Sequence, residues 1–155
     1  RSAASPPRCA RGAPGGVRVY DSTAKRSPLV DVTAVDYDGY PTPQPGRFAV
    51  LWIMRNFEAE SDLVVKTYLD PSIPTEGIEE DPALVLKSSC DLWSSAEWRE
   101  REVFDMFGIR FTDHPDLRRI LTWKDFPGHP LRKDYPLRGR GEREQYKVVT
   151  RDEVL

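Results

Sequence analysis

Ser95–Gly108 reads SAEWREREVFDMFG. Its apolar residues recur at helical spacing, yet charges stand among them on the side due to be buried. At 100° per residue, Ala96, Val103, Phe104, Met106 and Phe107 form a core stripe. Ser94-x-x-Glu97 reads as a capping box, with the hydroxyl and the carboxylate each taking an orphan amide. Gly108 reads as the left-handed residue that stops the helix. The opposite arc carries Glu97, Trp98, Arg101, Glu102 and Asp105. Its i,i+4 pairs, Glu97–Arg101 and Arg101–Asp105, contribute only about 0.2–0.5 kcal/mol each, as on a solvated face. Glu100 differs, because it falls inside the stripe between Phe104 and Phe107. An unpaired carboxylate there must snorkel, protonate or find a cation. The following segment offers Arg118, Arg119, Arg132, Lys133 and both histidines, His114 and His129. The expectation is a latch, in which Glu100 or Glu102 pairs with cations of 114–133 and pins an irregular tail to the helix.

On the N-terminal side, Leu29–Asp36 (LVDVTAVD) is β-rich and ends at turn chemistry, Asp38-Gly39 with Pro41, Pro43 and Pro45-Gly46. Arg47–Arg55 reads as a strand with Phe48, Val50, Trp52 and Met54 on one side. Ala49, Leu51 and Ile53 line the other, so both faces are apolar and the strand should be central. Asn56–Ser61 is a polar loop and Asp62–Leu69 the returning strand of an antiparallel hairpin. Asp70–Pro82 is a proline-punctuated connection, and Ala83–Lys87 an edge strand or the approach to the helix. Residues 1–28 read as a separate segment: the first twenty hold Arg1, Arg8, Arg11 and Arg18 and no acid. That composition fits the remnant of an organellar targeting segment or an ordinary flexible terminus.

Beyond the helix, Asp113–Thr122 (DHPDLRRILT) allows one short helix with Pro115 at its first position. Pro127, Pro130 and Pro136 then forbid regular structure and hold the chain extended. From His129 to Arg151 there are seven Lys/Arg against three Asp/Glu, with few groups to bury. The organisation expected is a flexible segment 1–28, an α/β domain 29–113 with a small mixed or antiparallel sheet and a flanking helix, and an extended segment 114–155.

Much is excluded by inventory. The chain has 155 residues and a formal charge of −2, so no global field draws it to nucleic acid or an acidic membrane. Its longest apolar run, Phe48–Met54, is far short of the roughly 20 residues of a membrane helix. Two cysteines, Cys9 and Cys90, and two histidines cannot build a four-thiolate iron–sulfur cluster or a Cys₄ or Cys₂His₂ zinc site. GxGxxG, GxxxxGK[ST] and GxSxG are absent. His114-Pro115 and His129-Pro130 read as structural histidines rather than metal ligands. The basic tail offers an RNA only Tyr135 and Tyr146 for stacking. Neither catalytic residue, bound cofactor nor metal is expected in this chain.

Glu100-Arg101-Glu102-x-x-Asp105-Met106-Phe107, then His114 and Arg118-Arg119-Ile120-Leu121, resembles the hallmark pattern of the thirty-kilodalton subunit of respiratory complex I (NADH:quinone oxidoreductase). Gly128-His129-Pro130-Leu131-Arg132-Lys133-Asp134-Tyr135-Pro136 resembles that family's second block, and Asp31–Asp36 and Lys66-Thr67-Tyr68 its strand segments. The match covers about residues 29–138. The resemblance implies a non-catalytic structural subunit of the peripheral arm, set against the large, hydrogenase-related quinone-site subunit. FMN, iron–sulfur clusters and quinone then belong to partner subunits, and the C-terminal extension wraps a neighbour. It assigns Glu100, Arg101, Glu102 and Asp105 to the latch and subunit contact. Their complements are His114, Arg118, Arg119, His129, Arg132, Lys133, Asp134 and Tyr135. The implied location is the matrix side of the mitochondrial inner membrane, or the cytoplasmic face of a bacterial one.

One departure stands out: the family carries a further α/β portion before the DxTxVD strand, here replaced by an Arg/Pro/Gly-rich opening. That portion is lost, carried on a separate chain or replaced by other subunits, and strands missing there leave a sheet edge to cover. The rival assignments are the equivalent subunit of a membrane-bound hydrogenase or a ferredoxin-driven plastoquinone reductase and, in a different class, a free-standing RNA-binding or adaptor domain.

Overall fold

The computed structural model describes residues 28–58, 60–73 and 80–141. The arginine-rich opening and the end of the basic tail, Tyr146 included, lie outside them. Three strands, β1 (Leu29–Asp36), β2 (Phe48–Asn56) and β3 (Ser61–Leu69), form an antiparallel sheet in the order β1-β2-β3. The strands fall within one residue of where the sequence placed them, and β2 is central as expected. In register, Trp52 faces Val32 and Val65, and Val50 faces Ala34 and Thr67. Phe48, Val50, Trp52 and Met54 are all at most 1% exposed. The other face is less covered: Ala49 is buried, but Leu51 and Ile53 are half-buried. The sheet thus has one true core side.

That side is closed by the helix α1 (Ala96–Phe107), which lies on β1 and contributes Ala96, Val103, Met106 and Phe107 to the shared core. Burying aliphatic and aromatic side chains this way yields about 1.5–3 kcal/mol each. A second sheet pairs β4 (Val85–Lys87) in parallel with β5 (Arg110–Thr112). β5 has no sequence signal of its own: beginning two residues after the helix stop at Gly108, it pairs only with a strand on the far side of α1.

Both helix ends are informative. Gly108 sits at φ 74° and returns its amide to the Phe104 carbonyl, the left-handed stop expected. The capping box does not form. Ser95 stands at the N-cap in right-handed helical conformation with no side-chain cap bond. The chain enters α1 through successive tight turns, so first-turn amides already meet carbonyls: Ala96 N–H bonds Trp93 O and Glu97 N–H bonds Ser94 O. The Ser95 hydroxyl instead donates to the Leu29 carbonyl at 3.4 Å, tying the helix start to β1.

The short helix expected in Asp113–Thr122 is absent, and 114–141 holds neither helix nor strand. The segment is also less extended than its prolines suggest. Tight turns join Arg132 to His129, Tyr135 to Arg132 and Gly139 to Pro136. It runs as a strap across the outer arc of α1, and many of its backbone groups are engaged there.

Candidate functional site

The strap is held at three places, each built on α1 or β1. The first uses two helix residues one turn apart. Arg101 donates to the carbonyls of Arg118 at 3.1 Å and Arg119 at 3.4 Å. Asp105 then takes the next backbone groups: its Oδ2 accepts the amides of Ile120, Leu121 and Thr122 at 3.0, 2.7 and 2.9 Å. Its Oδ1 accepts from Arg119 Nη1 at 2.8 Å and from the Thr122 hydroxyl at 2.5 Å. Three consecutive amides turned onto one oxygen cannot form helical bonds, which is why the expected helix is missing. Burial would raise the Asp105 carboxyl, but the Thr122 hydroxyl and amide, Arg119 and the Leu121 amide outweigh it and hold the pKa at about 2.

The second clamp completes the C-terminal end of α1. The last carbonyls of a helix lack intrahelical partners, and the last turn of α1 has no basic residue of its own. The strap supplies the donors. His129 Nδ1–H donates to Asp105 O at 3.0 Å, Leu131 N–H to Met106 O at 3.1 Å and Arg132 Nε to Phe107 O at 2.6 Å. Two strap cations, Arg119 and Arg132, thereby sit at the negative end of the helix dipole. His129 is 5% exposed. Burial above all, with Arg132 and Arg119 beside it, pushes its pKa down to about 4 against the pull of the Asp105 carbonyl, so the ring is neutral. Gly108 makes this approach possible, since a Cβ there would lie 2.5 Å from both Arg132 Nη2 and His129 Nε2.

The third clamp is on the sheet. Asp36, at the end of β1, accepts the Lys133 amide at 2.9 Å and both Nε and Nη2 of Arg47 at 3.1 and 3.0 Å. Arg47 Nη2 also meets Asp134 Oδ2 at 2.8 Å. Burial works to raise the Asp36 carboxyl, but Arg47 and the Lys133 and Asp38 amides bring it below its ordinary value. Arg47 and Arg132 lie over the Phe48 ring at 4.8 and 5.4 Å.

Glu100 is completely buried, as its position in the stripe demanded. Its partners correct the expectation. No cation of 114–133 bonds it. The Ser88 hydroxyl donates at 2.7 Å, and the Ser89 amide and hydroxyl at 2.8 and 2.5 Å. Trp52 Nε1–H in turn donates to the Ser89 hydroxyl at 3.2 Å, so Glu100 ties α1 to the loop after β4 and to the core of β2. Cys90 Sγ stands 3.7 Å from Glu100 Oε2, and Cys90, Glu100 and His114 ligand atoms lie within 4.8 Å of one another. Hydrogen bonds already use this set. His114 Nε2–H donates to Glu97 O and its Nδ1 accepts the Asp116 amide, both at 3.0 Å, leaving no ring lone pair. Burial first, and Glu100 after it, raises the Cys90 thiol, which disfavours a thiolate ligand.

The remaining candidates divide. Arg101 and Asp105, placed on a solvated arc by the helix projection, are buried at 7% and 0% exposure because the strap covers them. Neither pairs with its i,i+4 neighbour; both look outward to the strap. Glu102 is exposed and bonds no described residue, so it has no part in the latch. Arg118 contributes its carbonyl, while its side chain makes an exposed pair with Asp116. Lys133 contributes its amide. Tyr135 packs against Phe126 at 5.9 Å and under Arg140 at 5.6 Å, which occupies the ring an RNA base would need. Sequence reasoning missed Asp36, Arg47, Ser88 and Ser89. None had a signal of its own: Asp36 and Arg47 meet across the β1–β2 connection, and Ser88 and Ser89 are small polar residues in a loop.

Among the described residues no helix is long and apolar enough to cross a membrane. The family described as respiratory-chain NADH dehydrogenase, 30 Kd subunit, matches residues 18–141. NADH-quinone oxidoreductase subunit 5 of Thermus thermophilus is 46% identical over 114 residues, 70% of this chain and 50% of the relative. The mitochondrial NADH-ubiquinone oxidoreductase 30.4 kDa subunit of Neurospora crassa is 40% identical over 135 residues, 84% of this chain and 42% of the relative. The chain thus spans about half the length of these curated relatives. A solved structure titled Nqo5 of the trypsin-resistant fragment (1-134) is similar at 38% identity and TM-score 0.44, covering 57% of this chain and 64% of that one. With four-fifths of its length matched, this chain belongs to the family of the respiratory-chain NADH dehydrogenase 30-kDa subunit.

Proposed function

We infer that this chain is a structural subunit of the peripheral arm of an NADH:quinone oxidoreductase. It scaffolds the quinone module while the assembly passes electrons from NADH to quinone and pumps protons. It holds no redox centre itself; FMN, iron–sulfur clusters and quinone sit in its neighbours. Its principal partner is the large, hydrogenase-related quinone-site subunit. The assembly sits at the matrix face of the mitochondrial inner membrane or the cytoplasmic face of a bacterial one.

The observation that supports this reading is the division of labour in the strap. Its backbone groups and His129, Arg119 and Arg132 turn inward to the three clamps. Leu121, Trp123, Leu131 and Leu137 are left 63%, 38%, 53% and 104% exposed. Large apolar side chains presented outward on an irregular but anchored segment are the composition of a protein–protein contact. Native capture of the tagged chain tests the reading. NADH-oxidising flavoprotein and quinone-site subunits should come down in one particle, and Leu131→Asp with Leu137→Asp should release them. Capture of hydrogenase or ferredoxin-linked subunits, or of the chain alone, would overturn it.

A further inference from the structure

We propose that the free edge of β3 is a self-pairing surface, on which a second copy of this chain docks antiparallel with Val64 on the two-fold axis. The proposal concerns the chain free of other subunits and goes beyond the assembly reading. β3 is nine residues long and pairs unbroken with β2, while its other edge has no strand beside it among the described residues. It contains no proline or glycine, and Leu63 and Val64 are 47% and 51% exposed. Such an edge is a template for another strand unless something covers it.

The charges on the edge choose the occupant and the register. An axis perpendicular to the sheet preserves faces, so a residue opposes only residues of its own face. With Val64 on the axis, Asp62 opposes Lys66 of the other copy and Lys66 opposes Asp62, two complementary pairs around a Val64–Val64 contact. Asp62 or Lys66 on the axis would set that charge against itself. Val65 on the axis leaves Asp62 opposite Tyr68 and Lys66 opposite Val64, and Leu63 carries Lys66 past the end of β3. Lys66 lies on this face, its Nζ 2.6 Å from the Tyr37 hydroxyl and 4.6 Å from the centroid of the Tyr68 ring. These are contacts of an exposed ammonium, which exchanges them for a carboxylate at little cost. Asp62 has only an exposed contact with Arg55 at 3.7 Å, which holds it weakly.

Sedimentation of the full chain over a wide concentration range tests this. The chain should dimerise. Asp62→Lys and Lys66→Asp, each alone, should weaken the dimer by at least about tenfold, since each turns two attractive cross-strand pairs repulsive. Mixing the two variants should restore dimers, because every cross-strand pair between unlike copies again sets a lysine against an aspartate. Both side chains are exposed, so the thermal transition of each variant provides the folding control. A chain that stays monomeric, single reversals that dimerise like the parent, or folded variants whose mixture does not recover would each overturn the proposal.

Discussion

Arg101 and Asp105 stand one turn apart on α1 and bind opposite polarities of the same stretch of strap, Arg101 the carbonyls of 118 and 119 and Asp105 the amides of 120 to 122. A cation and an anion at i,i+4 ordinarily satisfy each other for a few tenths of a kcal/mol. Here they are directed to backbone groups that would otherwise be left without partners under the strap, where each unmet group costs about 1–3 kcal/mol.

Asp105→Asn should therefore be among the most damaging conservative changes in the chain. An amide can replace one acceptor but turns N–H groups toward Arg119 or the three amides. Removing one member of a buried pair costs about 3–5 kcal/mol, measurable as a shift in denaturation midpoint. In the parent, the Asp105 carboxyl at about 2 lies below its ordinary 3.8. Its contribution is present above pH 3.8 and lost as pH falls toward 2. Asp105→Asn should lack this acid step.

His129 has a separate window. Its folded pKa of about 4 lies below the ordinary 6.5, so the unfolded chain binds the proton more readily. The contribution of the neutral ring is full above pH 6.5, declines as pH falls from 6.5 to 4, and does not fall further below that. His129→Asn keeps a donor toward the Asp105 carbonyl and cannot titrate. Its stability should be flat between pH 6.5 and 4 where that of the parent slopes.

Gly108→Ala and Gly39→Ala separate backbone strain from collision. Both glycines have positive φ, 74° and 68°, but nothing lies within 4 Å of a Cβ on Gly39. Gly39→Ala should cost the left-handed strain alone, about 1–2 kcal/mol. Gly108→Ala adds the clash with Arg132 and His129, so its loss in melting temperature should be clearly larger and accompanied by faster exchange in residues 128–135.

Glu100→Ala should act on a different part of the molecule. It strands the Ser88 and Ser89 hydroxyls and the Ser89 amide in the interior, at a cost of about 2–4 kcal/mol. Because Trp52 donates to Ser89, tryptophan fluorescence should report the change. Exchange in residues 118–122 should stay as in the parent, the reverse of what a Glu100 latch to the strap requires.

The three strands and the helix stop were legible because each rests on local information: β-rich composition ending at turn residues in Leu29–Asp36, alternation in Phe48–Asn56, a polar loop followed by a returning apolar run in Ser61–Leu69, and a glycine where only a left-handed residue fits. β5 was not, because its partner β4 lies across α1. A helix projection treats its outer arc as solvent, so it could not show Arg101 and Asp105 buried beneath a segment with no periodicity. Glu100 was recognised as buried, but its charge was matched to distant cations, whereas serine hydroxyls and an amide from the loop just before the helix suffice. Most of the strap's hydrogen bonds to α1 and β1 have a backbone group on one side, and those leave no mark in side-chain patterns.

Amide exchange at Ile120, Leu121 and Thr122 in the full chain, compared between the parent and Asp105→Asn, tests the central claim most directly. The three amides are predicted to be slow in the parent and to exchange near the unprotected rate in the variant, with β1, β2 and β3 unchanged. Equal protection of these amides in both proteins would contradict the claim that Asp105 holds the strap.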